Sequence, residues 1–572
     1  MAMEGAGAAS TGGAGAPPRS RPVLWPAFVT IAAFLAVVAQ ICREALHLTN
    51  GTWIYSLDDT YIHMAIARSF ATHGVWGVTP DGFTSSTSSP LWSLLIAAAF
   101  KLVGVQMLVP FVLALAFAIA AILQLNRLVS ASGAPGPWVL IVLLVSVFAA
   151  PMPTLAYSGM EHLMHIVVML LVLEAGLRAL GPEPGRRDAL VLAAGGALLT
   201  MSRFEGLFLI AILGLMLAAR GRWGVAIATV AGGIAPVALY GAWSRAHGWY
   251  WLPNSVLLKG RALHGPLKAW IKGLINNGYN QTWANPHVLV VLLGALVLLM
   301  IPRKSAAGRA NRDALVIFTV VMVLHMQFAV VGWFYRYEAY LIAIGVALIG
   351  SGIWIERERL RSWLLEPPRL PRLAAAAVIA ILMVRPLLER AQRSARETPR
   401  AAANIYGQQY QMARFLNRYY GGQAVMVNDI GAVSWFGNEH LLDIWGLASL
   451  EPARLSLTHQ WSLDQARRLV RESGAKVAIV YEIWFRQFGG TPAEWTRVGV
   501  WKIPKNVTCA FDSVSIFALT PEETLPLARH VKEFEPELPY EAMHIGPDRE
   551  IPGLWVREGM PAAREGAAVG DP

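Results

Sequence analysis

The sequence predicts an α-helical, polytopic membrane protein that carries a soluble α/β domain towards its C-terminal end. Three observations carry that expectation. Of the 572 residues, 55% are hydrophobic and only 15% charged, with a mean hydropathy of +0.45. A soluble domain has about 25% charged residues, so this chain lacks the polar surface to stay in water. Apolar stretches recur from residue 23 to residue 388, and beyond that point short β-branched runs alternate with amphipathic helical ones.

Residues 1–22 are Gly/Ala/Pro-rich without an apolar period and end on Arg19 and Arg21; they read as a disordered cytoplasmic tail. Val23–Cys42 is long enough to cross a bilayer, and no small-residue cleavage site follows it. An uncleaved anchor is the expectation. Eleven further apolar segments lie near 90–105, 107–125, 137–152, 162–180, 188–201, 204–219, 223–243, 286–301, 313–331, 337–354 and 372–387, which gives about 11–13 transmembrane helices. Two of these, between 90 and 125, break the alternation of sides, so one of them is expected to be a half-helix or re-entrant piece. Residues 23–388 form the membrane domain, with a first extracytoplasmic loop at 43–89. Residues 389–540 form an extracytoplasmic α/β domain with strands in AVMVNDIG, KVAIVYEIWF, RVGVWKI and SVSIFAL. Residues 541–572, rich in Pro, Gly, Glu and Ala, read as a loose tail.

The formal charge of +11 is not a polyanion footprint. Residues 1–385 hold 28 Lys+Arg against 15 Asp+Glu, whereas the remainder holds 20 against 22. The excess therefore lies between apolar spans, where Lys and Arg set orientation rather than bind nucleic acid. The basic loops 303–312 and 356–372 are expected to be cytoplasmic, which puts the polar stretches 43–89, 156–161, 203–206, 244–285 and 333–338 together on the opposite face. Cys42 and Cys509 are too few for a disulfide framework or a zinc site and leave room for one bridge.

Adjacent carboxylates Asp58 and Asp59 open a helical stretch in SLDDTYIHMAIARSF. A capped interfacial helix explains one acidic residue there. A second one, close enough for each to move the other's pKa, suits a general base beside a partner that orients substrate or metal. Ionisable groups gather on the same face: Glu161 in SGMEH, Arg203 and Glu205 in MSRFEG, and Arg336 and Glu338 in FYRYEAY. They are expected to line one cavity as charge partners or as sugar or phosphate ligands. Asn254, Lys259 and Arg261 follow the aromatic cluster Trp249, Tyr250 and Trp251, where a lipid phosphate would need cationic or N–H donors. His63, His162 and His165 lack a third ligand at metal spacing and are read as structural. Asp429 and Asp443 end strand-like runs, where sugar binding competes with the satisfaction of a turn.

The order of these motifs (DDTYI after an apolar anchor, SSPLW into the next span, YSGMEHLM, SRFEGLF, WLPNSVLLKG and NDIGAVSWFGNEHLLDIWGL) resembles the GT-C superfamily of integral-membrane glycosyltransferases. It is most similar to the branch of mycobacterial terminal arabinofuranosyltransferases and mannosyltransferase-like proteins. The resemblance implies a GT-C-like fold and inverting transfer of a sugar from a polyprenyl-phosphate donor to a hydroxyl of a glycan, lipid or protein acceptor. Transfer would take place on the extracytoplasmic face of the plasma or inner membrane. It implies Asp58 as the base and Asp59 as its partner, Lys259 at the donor phosphate, and in some members a divalent cation. The competing classes are a transporter or flippase of lipid-linked sugars and a membrane scaffold. The topology is checked by single cysteines placed in 56–90 and in 303–312: an impermeant thiol reagent should reach them from opposite sides of the membrane, and labelling from one side would overturn the assignment.

Overall fold

The structure is a computed structural model that describes residues 23–181, 185–259, 267–303, 305–539 and 543–546. The expected N-terminal tail, Arg261 and most of the expected C-terminal tail lie outside the described residues.

The first half of the bundle comprises α1 (Trp25–Leu48), α2 (Asp58–His73), α3 (Pro90–Val103), α4 (Val109–Ser130), α5 (Gly136–Ala149), α6 (Met152–Ser158), α7 (His162–Ala179), α8 (Arg186–Ser202), α9 (Gly206–Ala219) and α10 (Trp223–Ala246). It continues through α11 (Asn254–Lys259), α12 (Leu267–Ala284), α13 (Pro286–Met300), α14 (Ala306–Phe328), α15 (Ala339–Ile355), α16 (Arg357–Leu365) and α17 (Arg369–Gly407). Among the described residues five helices are long and apolar enough to cross a membrane, or up to eight if each sharply bent pair is one span. Further apolar segments among the expected 11–13 form shorter helices. At 14 residues each, α3 and α9 extend about 21 Å, against a hydrocarbon thickness of about 30 Å. The short piece between 90 and 125 is α3, whereas α4 is full-length at 22 residues.

Helices pack closely where side chains are small. Gly196 of α8 faces Gly233 of α10, and Gly232 lies against Ala193, so closely that a Cβ on Gly232 would sit 2.3 Å from the carbonyl oxygen of Ala193. The Thr200 hydroxyl crosses the same interface to donate to the Gly233 carbonyl at 2.8 Å. Without a hydrophobic drive between helices in lipid, such close backbone approach and interhelical hydrogen bonding supply the attraction.

The ionisable residues sort to the two ends of the bundle. At one end Arg220, after α9, meets Asp313 of α14 at 2.9 Å and donates to the Leu180 carbonyl after α7. Arg303 and Glu356 pair there at 3.0 Å. At the other end lie the starts of α2, α7, α9 and α15, with Asp59, Glu161, Glu205 and Arg336.

Helix α17 is 39 residues long and runs without a break across residues 388 and 389. Its first half exposes Val378, Ile379, Ile381 and Leu382, while its second half buries Arg390, Ser394, Thr398 and Asn404. The membrane bundle and the α/β domain thus share one rod of about 58 Å. After it come α18 (Gln409–Tyr420), β1 (Ala424–Val427), α19 (Gly431–Phe436), β2 (His440–Asp443), α20 (Leu450–Leu457), α21 (Leu463–Ser473), β3 (Val477–Val480), a 3₁₀ turn at Glu482–Phe488, β4 (Thr496–Lys502), β5 (Ser513–Ala518) and α22 (Pro521–Phe534). A sixth strand, β6 (Met543–Ile545), lies in the tail expected to be loose and pairs with β4. The sheet order is β2-β1-β3-β5-β4-β6, parallel over the first three strands and antiparallel thereafter. Ser462 caps α21 by accepting from the Gln465 amide, and Gly474 ends it at φ +68°. Cys42 and Cys509 are free thiols.

Replacing Gly232 by Val should cost about 1–3 kcal/mol, since the added atoms meet backbone that cannot rotate away. Thermal unfolding in detergent checks this, with Gly224→Val, in open space, as the control that should unfold near the wild-type midpoint.

Candidate active site

Asp58 and Asp59 leave α2 in different directions. The two carboxylate oxygens of Asp58 accept from the backbone amides of Gly431 (2.7 Å) and Ala432 (2.8 Å), the first residues of α19. Ten residues on, Arg68 donates to the carbonyls of Ser434 and Trp435 at the other end of α19, both at 2.7 Å. A short helix is thereby held at its positive end by a carboxylate and at its negative end by a guanidinium. Only glycine fits at 431, because a Cβ there would lie 2.0 Å from the Asp58 carbonyl oxygen. Asp58 therefore clamps the α/β domain onto α2, and its carboxylate does not line the large cavity nearby.

That cavity, of about 270 Å³, is lined by Asp59, Ser88, Arg203, Glu205, Ser255 and Arg336 among others. Asp59 accepts from the Arg336 Nη2 at 2.5 Å. Arg336 is buried, yet among the described residues its Nε and Nη1 have no hydrogen-bond partner. Across the cavity Arg203 donates to Glu161 (2.5 Å) and Glu205 (2.6 Å) and leaves its own Nε without one. The Tyr337 ring lies between the two cations, 5.3 Å from the Arg203 guanidinium and 4.9 Å from that of Arg336. Gly332, Trp333, Phe334 and Tyr335 all have positive φ, between +30° and +90°. Three consecutive non-glycine residues in that region concentrate backbone strain on the segment that delivers Arg336 and Tyr337.

Of the residues the sequence singles out, Asp59, Arg203, Glu205 and Arg336 meet at the cavity. Three others are placed elsewhere. Glu161 is fully buried behind Arg203, whose Nη1 it holds, with His63 at 3.7 Å on its far side. Glu338 turns to Arg390 (2.6 Å) and His287 (3.1 Å) and braces α17 against α13. Asn254 is buried and donates to the Gly446 carbonyl at 2.7 Å, so it ties the domain down while its neighbours Ser255 and Val256 reach the cavity. The Lys259 side chain lies outside the described residues. His63, His162 and His165 serve local structure: His63 bonds Ser93 at 3.0 Å, His162 stands 3.0 Å from Arg203, and His165 bonds Ser202 at 2.8 Å.

Asp443 caps its own turn, accepting from the amides of Trp445, Gly446 and Ala448 at 2.8–3.1 Å, and burial pushes it up to about 6. Asp429 approaches the carboxylate pair, held by the Tyr481 hydroxyl (2.7 Å) and the Gln409 amide (2.8 Å). Burial raises it, and the charge of Asp59 adds to the shift. Sequence reasoning missed Arg68, Tyr337 and the clamp role of Asp58, since each depends on contacts far along the chain. Among the described residues no group of three or more His, Cys, Asp or Glu side chains is placed to hold a metal ion. Of the carboxylates that line the cavity, Asp59 accepts from Arg336 and Glu205 from Arg203.

A family model described as a domain of unknown function, DUF8728, matches residues 403–517, from the end of α17 into β5. No curated protein matches the chain in sequence. In structure the chain is similar to ArnT from Cupriavidus metallidurans, solved bound to undecaprenyl phosphate, at 11% identity and a TM-score of 0.47, covering 86% of this chain and 98% of that one. It is also similar to the arabinofuranosyltransferase AftD from Mycobacteria, at 15% identity and a TM-score of 0.42, covering 86% of this chain and 41% of that one. A third similar structure is the oligosaccharyltransferase of Archaeoglobus fulgidus, solved with Zn and sulfate, at 12% identity and a TM-score of 0.43, covering 89% and 74%.

Burial, and then the neighbouring charge of Asp429, push Asp58 from an ordinary 3.8 up to about 8 against the pull of its two amides. An acid raised in this way holds its proton better folded than unfolded. Its stabilising contribution is full below about pH 4 and is lost as the pH rises through about 8. Thermal midpoints between pH 4 and pH 9 should therefore fall less steeply for Asp58→Asn than for the wild type; parallel slopes would show that Asp58 does not titrate in this window.

Proposed function

We propose that the protein is an inverting glycosyltransferase that moves a sugar from a polyprenyl-phosphate donor to an acceptor hydroxyl. The observation that carries this reading is the cavity at the end of an apolar bundle where two buried arginines, each with an N–H group left open among the described residues, meet Asp59 on one side and Glu205 on the other. A lipid phosphate leaving group develops negative charge as the glycosidic bond breaks, and preorganised guanidinium donors out of bulk water stabilise that charge. Arg203 and Arg336 fill this role, with Glu161 and Glu205 orienting the former.

Asp59 is the base in this scheme, and Asp58 the clamp. The acceptor hydroxyl gives its proton to the Asp59 carboxylate while its oxygen bonds to the anomeric carbon. The bond from that carbon to the phosphate oxygen breaks on the opposite face, and polyprenyl phosphate departs. Arg336 donates to the Asp59 carboxylate at 2.5 Å. A donor phosphate competes for the same guanidinium and frees the carboxylate, so that deprotonation follows donor binding. The α/β domain belongs on the extracytoplasmic side in this reading, because the basic loops gather at the other end of the bundle.

Asp59→Asn should lower transfer from a polyprenyl-phosphate sugar by about a hundred- to ten-thousandfold, the usual worth of a general base, with donor binding retained. Arg336→Ala should weaken donor binding itself. Undiminished turnover by Asp59→Asn would remove the base assignment. Movement of labelled lipid-linked sugar across vesicles without its consumption would favour the transporter class.

A further inference from the structure

The α/β domain carries a second concavity that the transfer chemistry does not use. It has a volume of about 130 Å³ and is lined by Trp445, Trp461, Trp484, Phe485, Phe488 and Gln487, among others. Three indoles converge on it. Trp445 and Trp484 have ring centroids 4.9 Å apart at 35°, a splayed pair rather than a closed stack. A seam that served packing alone would close over such rings, yet Trp445 remains 38% exposed. The Nε1 of Trp461 donates to the Ser456 hydroxyl at 2.8 Å, which leaves the hydroxyl proton free to donate into the cleft. The Gln487 side chain is exposed at the rim.

The size and chemistry of the cleft select one kind of ligand. At about 130 Å³ and open to solvent, the cleft seats one face of a single sugar ring and has no room for a chain of them. A pyranose or furanose ring has apolar C–H faces and a hydroxyl edge, which match indole faces bordered by a hydroxyl and an amide. A lipid chain would need a longer, uniformly apolar groove continuous with the bundle.

The cleft also leads to the reacting groups by two routes. Trp484 packs on Tyr481 at 5.1 Å, and the Tyr481 hydroxyl reaches Asp429, whose charge acts on Asp58 and Asp59. Trp445 belongs to the turn whose Gly446 and Leu447 carbonyls accept from Asn254 and Ser86, beside the cavity-lining Ser255 and Ser88.

We propose that Trp445, Trp461 and Trp484 form a saccharide subsite that holds a ring of the acceptor, set apart from the hydroxyl that is glycosylated. The assignment rests on the glycosyltransfer reading for the word acceptor, but the binding of a sugar ring stands independently of it. The acceptor would then be a glycan at least two rings long, and the α/β domain would select it while the membrane cavity holds the donor.

Tryptophan fluorescence of the purified full chain, titrated with mannan-, arabinan- and cellulose-type oligosaccharides from disaccharide to hexasaccharide, tests this. Saturable quenching by at least one series is expected, at least tenfold weaker in Trp484→Ala and Trp445→Ala. Gln487→Ala, a change at the exposed rim that removes one hydrogen bond to the Trp484 carbonyl, should weaken it severalfold. In a transfer assay the Trp variants should raise the KM for acceptor and leave the KM for donor unchanged. Absence of quenching by every sugar at millimolar concentration, or quenching that persists in both Trp variants, overturns the proposal. A wild type that binds the oligosaccharides but transfers nothing would instead count against the glycosyltransfer reading and leave the subsite standing.

Discussion

Ionisable groups buried at the end of an apolar bundle must find hydrogen-bond partners, and the site follows from how that demand is met. Asp58 could not sit where α2 leaves the bundle without partners, and it finds them in the first two amides of α19. The pairing has a structural consequence out of proportion to two hydrogen bonds. It fixes the α/β domain against the membrane domain, with Arg68 securing the other end of the same helix. Thr508 adds a third tie through its hydroxyl to the Ser56 carbonyl at 3.0 Å, and Asn254 and Ser86 hold the 443–447 turn. The cavity is closed on one side by the loops so held.

Once α19 takes Asp58, Asp59 is the member of the pair left to face the cavity, and the division of labour proposed between the two carboxylates follows from their surroundings. Environment rather than residue type separates a structural carboxylate from a reactive one. The arginines obey the same logic. Arg203 is steadied by two carboxylates and Arg336 by one, so that each remains charged while keeping donors for an anion. Strained backbone from Gly332 to Tyr335 is tolerated at this point because Glu338, Arg390 and His287 anchor the segment behind it.

Much of the layout is legible in the sequence. Low charge content and recurrent apolar runs specify a membrane bundle, and alternating β-branched runs specify the sheet. The chain positions of β1, β3, β4 and β5 follow from Val425–Val427, Val477–Val480, Val498–Trp501 and Val514–Ala518, where period and composition agree. The gathering of Asp59, Arg203, Glu205 and Arg336 at one end follows from which loops alternate with basic ones. The run that ends at Asp443 reads as strand-like and is β2, whereas β6 carries no comparable signal: MHI is too short, and only its pairing with β4 makes it a strand. The continuity of α17 is equally hidden: the boundary expected between 388 and 389 falls inside one helix that runs on through Pro386 and Pro399.

The sequence by itself therefore determined the class of the protein, the gathering of its polar loops at one end of the bundle and a small set of ionisable groups there, because hydropathy and charge act on each segment locally. Which of Asp58 and Asp59 faces the cavity, that Glu161, Glu338 and Asn254 support rather than line it, and that three tryptophans converge on an outer cleft were decided by tertiary structure alone. These depend on partners hundreds of residues away, such as Gly431 for Asp58 and Arg336 for Asp59. The pairing of a charge is set by what the fold brings within about 3 Å of it, and no local pattern in the chain records that distance.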